Sequence, residues 1–140
     1  MAAIDWAGVF PAATTQYRPD MSVDIAATQG VQDALIRDGV HGLVLMGTVG
    51  EGNSLLADEK RDVLRACAEV TAGRVPIIAG VSELSTPLAV AFARDAEKLG
   101  ANGLMVLPSM VYVPTEDELI AHFRAVAHGV VDVGIAAGVG

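Results

Sequence analysis

The chain has 140 residues, 52% of them hydrophobic, a formal net charge of −8 and one cysteine. That is one domain long enough to bury a core, and its acidic balance with no basic cluster excludes a nucleic-acid or anionic-membrane surface. No apolar run approaches the roughly 18 residues of a membrane helix, the start Met1-Ala2-Ala3-Ile4-Asp5 lacks a signal-peptide pattern, and Cys67 has no partner for an internal disulfide, so a reducing cytoplasm is the expected location.

Residues 8–15 read as a first short strand and its exit loop, and 16–20 as a turn-rich connection around Pro19. Residues 23–37 read as a helix with Ser22 or Asp24 as N-cap. Val31, Ala34 and Leu35 follow helical spacing; Gly30 weakens the interior, and Gly39 ends it as a C′ glycine would. A second strand at 43–46 runs into Gly47-Thr48-Val49-Gly50-Glu51. A helix over 58–70 places Val63, Leu64, Cys67 and Val70 on one face and Lys60, Arg61, Arg65 and Glu69 largely elsewhere, and Gly73 stops it. Strand three covers 75–81, with Pro76 at its start, where no ladder donor is needed.

Helix three opens at Thr86-Pro87, read as an N-cap followed by proline at N1, and continues to Lys98 and Gly100. Strand four covers 104–107 and is broken by Pro108. Thr115-Glu116-Asp117-Glu118 is a capping box opening a fourth helix that ends near Gly129. Residues 130–137 read as a fifth, divergent strand trailing into Gly138-Val139-Gly140. Strand starts recur roughly every 27 to 33 residues, the size of a βα unit. Gly39-Val40-His41-Gly42-Leu43 is repeated as Gly100-Ala101-Asn102-Gly103-Leu104, two copies of one helix-to-strand turn. This alternation calls for a parallel sheet with right-handed crossovers, an α/β fold.

The stretch Gly47-Thr48-Val49-Gly50-Glu51 brings backbone N–H groups, a hydroxyl and a carboxylate to the C-terminal tip of a strand. In parallel α/β proteins that tip is where ligands bind. The alternative is a strand-to-helix turn that needs glycine for geometry alone.

Taken in order, these segments resemble the dihydrodipicolinate synthase and N-acetylneuraminate lyase family of pyruvate-dependent class I aldolases. Gly47-Thr48-Val49-Gly50-Glu51 looks like the family's Gly-Thr-Thr-Gly-Glu, with Leu55 and Glu59 continuing the motif. Ile78-Ala79-Gly80-Val81 with Ser85-Thr86 looks like the third strand and the cap after it. Gly100-Ala101-Asn102-Gly103 and Leu107-Pro108 look like the fourth strand and its exit. The resemblance runs from about Gly8 to about His128 and implies four to five βα units from the N-terminal part of a TIM (β/α)8 barrel. Residues 1–140 would then form a single incomplete barrel domain, strands one to four plus the divergent fifth.

The resemblance implies a lyase, a Schiff-base aldolase that takes a small 2-oxo acid such as pyruvate and needs no cofactor. It makes Thr48 a proton-relay residue, with Gly47, Thr48, Val49 and Gly50 binding substrate. The N–H groups of Thr48 and Val49 would meet the carboxylate, since oriented backbone donors hold an anion without side-chain charge. Tyr112 is the other relay candidate, on a segment one residue longer than the common pattern. Here Val49 replaces the second threonine, Leu56 stands where the family prefers a serine cap, and 133–138 lacks the family's Tyr-Asn-x-Pro.

A Schiff-base lysine belongs at a strand tip. The two lysines, Lys60 and Lys98, both read as solvated helix residues, so no Schiff-base lysine is expected in this chain. His41 falls on the N-terminal face, and His122 and His128 ride the fourth helix. No metal-ligand spacing is visible, and Gly50-Glu51-Gly52 is too short for a phosphate loop. Cys67 reads as a buried helix-face residue. Glu51 is either a site carboxylate or a helix-entry anchor.

The expectation is a chain inactive alone. The alternatives are that a second chain supplies strands five to eight, or that this is a non-catalytic half-barrel serving small-anion binding or assembly. Half a barrel would expose the inward residues Val9, Leu43 or Val44, Ile77 or Ile78, and Met105 or Val106, together with two strand edges. A homo-oligomer, an open doubly wound rearrangement or completion by a missing C-terminal half would answer that exposure.

Overall fold

Four parallel strands lie side by side in the order in which the chain makes them. The computed structural model describes residues 4–137; the readings of the extreme N-terminus and of the trailing Gly138-Val139-Gly140 fall outside them. The elements are α1 (Ile25–Arg37), β1 (Leu43–Leu45), a 3-10 turn (Gly52–Ser54), α2 (Ala57–Thr71), β2 (Ile77–Val81), α3 (Thr86–Lys98), β3 (Gly103–Val106), α4 (Glu116–Gly129) and β4 (Gly134–Ala137). Among the described residues no helix is long and apolar enough to cross a membrane.

Sequential order is the signature of a singly wound barrel wall. A doubly wound sheet reverses its order at a switch point; this one does not. Same-handed crossovers then put every helix on one side. Consecutive helices accordingly pack against one another, α1 on α2 and α3 on α4. The register sorts the two faces. Leu43, Leu45, Ile77, Ala79, Val81, Leu104 and Val106 are buried and form the core with Val63, Leu64, Cys67, Ala89, Phe92, Ala93 and Ala96 of the helices. Val44, Ile78 and Met105, at the alternating positions, are only part-buried and occupy the opposite, inner face. Of the paired alternatives left by the sequence, the second is correct in the first two cases and Met105 in the third.

The anticipated first strand is reduced to one bridge. Ala12 pairs with Val44 in parallel, with Val44 N–H donating to Pro11 C=O at 3.0 Å and Ala13 N–H to Val44 C=O at 2.8 Å. The segment thus lies beside β1 as the next stave without building a ladder. Its rings cover the bottom of the inner face. A Cβ at Gly103 would stand 2.9 Å from the Trp6 ring, and one at Gly42 would stand 2.1 Å from the Phe10 ring. The repeated glycines at the helix-to-strand turns are therefore seats for these rings.

The helix ends also follow the repeat. Gly39 and Gly100 have φ of +89° and +99°. Around them Val40 N–H reaches Leu35 C=O at 3.4 Å and Ala101 N–H reaches Ala96 C=O at 3.0 Å. These are two Schellman endings of the same design. At the other ends, Asp24 caps α1 by accepting from Ala27 N–H at 3.0 Å. Thr115 and Glu118 form the expected capping box. Leu56 has no oxygen to cap α2, and Glu59 compensates by accepting the Leu56 N–H at 2.8 Å. The cap of α3 differs from the reading: Ser85 is the N-cap, so Thr86 is N1 and Pro87 is N2. Thr86 is drawn into the helix because its hydroxyl is taken by His122.

Candidate functional site

The loop after β1 turns at Met46, a non-glycine residue with φ of 57°. Gly47 follows, buried, with the Met105 methyl 3.2 Å from where its Cβ would be. Thr48 and Val49 stand exposed at the tip, Val49 by 55%. Gly50 turns back into the protein. A Cβ there would lie 2.8 Å from Met46 N and 2.9 Å from Ala13 O, so this backbone has room for glycine only. The Thr15 hydroxyl donates to Gly50 C=O at 2.7 Å, and Glu51 N–H donates to Thr48 C=O at 3.1 Å.

These bonds fix the loop through its carbonyls. The N–H groups of Thr48, Val49 and Gly50 donate to no acceptor among the described residues. Successive backbone donors with no partner are the kind of group an anion can engage without side-chain charge. The change from threonine to Val49 removes a hydroxyl and leaves that backbone donor in place.

Glu51 is exposed, in the left-handed region at φ 54°, and precedes the 3-10 turn rather than α2. It is therefore not the anchor of the α2 entry; Glu59 holds that place. Tyr17, which the sequence reading passed over as part of a turn, lies beneath this corner with its hydroxyl buried and unpartnered. Burial, then the Glu51 and Glu59 carboxylates, push its phenol above the ordinary tyrosine value. A lone tyrosine in a turn-rich segment carried no signal that could have found it.

Lys60 is the main correction. Expected in solvent, it is 7% exposed, with Nζ 2.5 Å from Glu83 Oε1 and 5.5 Å from the Phe92 ring centroid. It closes one side of a cavity of about 380 Å³ whose lining includes Asn53, Ser82, Glu83 and Met110. Lys98 is exposed in the last turn of α3, as expected. Neither lysine stands at a strand tip.

Tyr112 is 53% exposed and lies elsewhere, on a cavity of about 250 Å³ shared with Thr86, Glu118 and His122. Thr48 is not among the residues lining it. His122 is buried in this corner, its Nε2 3.2 Å from Leu107 C=O and its Nδ1 2.9 Å from Thr86 Oγ1. A carbonyl only accepts, so Nε2 carries the proton and Thr86 donates to Nδ1. His41 lies at the opposite end of the sheet, its Nδ1 accepting the Val9 N–H at 3.1 Å. Cys67 is fully buried beside Thr71, and burial pushes its thiol up to about 11. Among the described residues no group of three or more His, Cys, Asp or Glu side chains is placed to hold a metal ion.

Comparison with known proteins agrees with this geometry. Residues 5–133 match the model of the dihydrodipicolinate synthetase family. The 4-hydroxy-tetrahydrodipicolinate synthase of Rhizobium meliloti is 39% identical over 123 residues, covering 88% of this chain and 42% of its own length. A dihydrodipicolinate synthase structure from Bacillus anthracis superposes with a TM-score of 0.90 at 26% identity, over 96% of this chain and 46% of its own. A prophage protein of the dihydrodipicolinic acid synthase family from E. coli K12, solved in complex with pyruvate, gives 0.89 at 27% identity, over 94% and 44%. The chain thus spans less than half the length of these relatives and corresponds to the N-terminal part of their fold.

Proposed function

This chain belongs to the dihydrodipicolinate synthetase family, and from that premise we propose that it forms the carboxylate-binding part of a Schiff-base lyase site for a small 2-oxo acid such as pyruvate. The observation that carries the reading is the set of three unengaged N–H groups at Thr48, Val49 and Gly50. A 2-oxo acid presents a planar carboxylate beside an electrophilic carbonyl. The loop donors would hold the carboxylate and leave the carbonyl facing the inner side of the sheet. Thr48 adds a hydroxyl at the same tip, suited to relay a proton once a nucleophile attacks. The pyruvate complex of the E. coli relative supports the choice of ligand.

The covalent step needs an amine at a strand tip with access to that carbonyl. Lys60 is tied to Glu83 and Lys98 sits on the outer surface, so the described residues bind the acid without attacking it. That commitment of Lys60 also favours a second reading, a non-catalytic module that binds small anions.

Pyruvate titrated into labelled protein should shift the amide resonances of Thr48, Val49 and Gly50. Borohydride added with pyruvate should leave no covalent adduct on this chain. Shifts confined to other loops would remove the anion site, and an adduct of pyruvate mass on Lys60 or Lys98 would overturn the division of labour. Formate or acetate shifting the same amides as strongly as pyruvate would favour the second reading.

A further inference from the structure

The loop after β1 is tied to the rest of the protein by one side chain. Thr15 is 7% exposed, and its hydroxyl donates to Gly50 C=O at 2.7 Å. Among the described residues no other side chain bonds the backbone of residues 47–51. The hydroxyl works from a fixed frame. Two residues before it, Ala13 N–H donates to Val44 C=O at 2.8 Å, which ties the segment to β1. One residue after it, Gln16 N–H donates to Thr28 Oγ1 at 3.0 Å, which ties it to α1. A β-branched side chain between two such ties has little torsional freedom.

A trans peptide is planar, and its C=O and N–H point in opposite directions. A bond that fixes a carbonyl therefore aims the N–H of the following residue. Gly50 C=O and Glu51 N–H belong to one peptide. Thr15 holds its carbonyl end, and its N–H end donates to Thr48 C=O at 3.1 Å. Thr48 C=O and Val49 N–H belong to another peptide, so that second bond aims Val49 N–H away from Glu51. Thr48 N–H is aimed by a separate route, because Gly47 C=O accepts from Gly52 N–H at 3.3 Å. We propose that Thr15 is a positioning residue of this loop, whose hydroxyl sets, through these two peptides, the direction in which Val49 N–H meets a bound carboxylate. Its role rests on the reading of the loop as a carboxylate site. Without the hydroxyl, the buried Gly50 C=O is left unpaired, and its peptide turns to find another donor. Glu51 N–H then releases Thr48 C=O, and Val49 N–H loses its aim while Thr48 N–H keeps its own.

The test compares Thr15→Val, which replaces the hydroxyl by a methyl, with Thr15→Ser, which keeps the hydroxyl and drops the methyl. Labelled parent and variants are titrated with sodium pyruvate and followed through their amide resonances. Amide exchange is measured on the same proteins without ligand. In Thr15→Val the Kd for pyruvate should rise about tenfold. The pyruvate-induced shift should shrink more at Val49 than at Thr48. Exchange at Glu51 should quicken while Ala79, buried in β2, stays protected. Thr15→Ser should recover most of the affinity and the protection of Glu51. A Thr15→Val protein with the parent's Kd overturns the proposal and leaves the carboxylate site standing. So does a Thr15→Ser protein as weak as Thr15→Val, which would assign the effect to the methyl. Faster exchange at Ala79 in Thr15→Val marks a folding defect. The pair Thr15→Ser and Thr15→Ala, which differ in the hydroxyl alone, then decides, and equal Kd values in that pair overturn the proposal. A parent protein with no pyruvate shift at Thr48, Val49 and Gly50 removes the carboxylate reading and the positioning role with it.

Discussion

Replacing Lys60 by methionine tests the reading of α2 at its most consequential point. Lys60 Nζ and Glu83 Oε1 are 2.5 Å apart, on side chains 9% and 17% exposed. At an effective dielectric near 20 the bare attraction is about 6–7 kcal/mol. Most of that is offset by stripping water from both ions, so the net worth of the pair is small. Breaking it is another matter, because Lys60→Met leaves the Glu83 carboxylate without its partner. For a fully buried pair that costs roughly 3–5 kcal/mol; the residual exposure of Glu83 lets water reach it, so about 2–3 kcal/mol is expected. Glu83→Leu should cost less, about 1–2 kcal/mol, because a lysine stem can carry its ammonium outward. The double variant should return to within about 1 kcal/mol of the parent, a positive coupling energy. Urea denaturation followed by circular dichroism measures all four corners of the cycle. Repeated between roughly 0.05 and 0.5 M NaCl, the losses should hold, because buried pairs are little screened. A loss under about 0.5 kcal/mol for Lys60→Met that fades with salt would refute the reasoning and return Lys60 to solvent.

Gly30 lies exposed inside α1 with nothing within 4 Å of an added Cβ; Gly30→Ala should stabilise by about 0.5–1 kcal/mol in the same urea assay. Cys67, its thiol raised to about 11 by burial, should resist iodoacetamide at pH 8 in the native protein and react on denaturation; native labelling at the denatured rate would contradict its place in the core. Glu97 is held below its ordinary value of 4.5 by the N–H groups of Asp132 and then Val131. A depressed folded pKa means the folded state binds fewer protons, so this contribution is present above pH 4.5 and is lost as pH falls through the folded value. Glu97→Gln should therefore flatten the acid limb of the stability profile, and an unchanged limb would show that the loop at Val131 does not depend on the carboxylate.

What the sequence disclosed was local. The Gly39 and Gly100 repeats announced two equal helix endings, because a left-handed C′ residue selects glycine wherever it occurs. The Thr115 capping box spans four residues and was readable for the same reason. What it withheld depends on residues distant in the chain. Lys60 looked solvated because a first-turn lysine usually is; its burial is decided by Glu83, 23 residues away. Thr86 looked like an N-cap because its hydroxyl could have served; His122, 36 residues on, claims that hydroxyl and leaves the cap to Ser85. The first strand shrank to one bridge because Val44 engages only Pro11 and Ala13.

The candidate site obeys the same division. Its glycine-threonine motif was visible, yet the motif alone could not distinguish a ligand loop from a tight turn. The structure adds which groups the turn uses. Thr15, from the preceding segment, takes the Gly50 carbonyl, and Glu51 N–H takes the Thr48 carbonyl. Both bonds consume acceptors of the loop and neither consumes a donor at Thr48, Val49 or Gly50. A turn braced through its carbonyls leaves that row of N–H groups open to water or, on the reading proposed above, to an anion. Val49 is compatible with that role because the row is backbone. Gly50 is required by the turn itself, since any side chain there would meet Met46 N and Ala13 O.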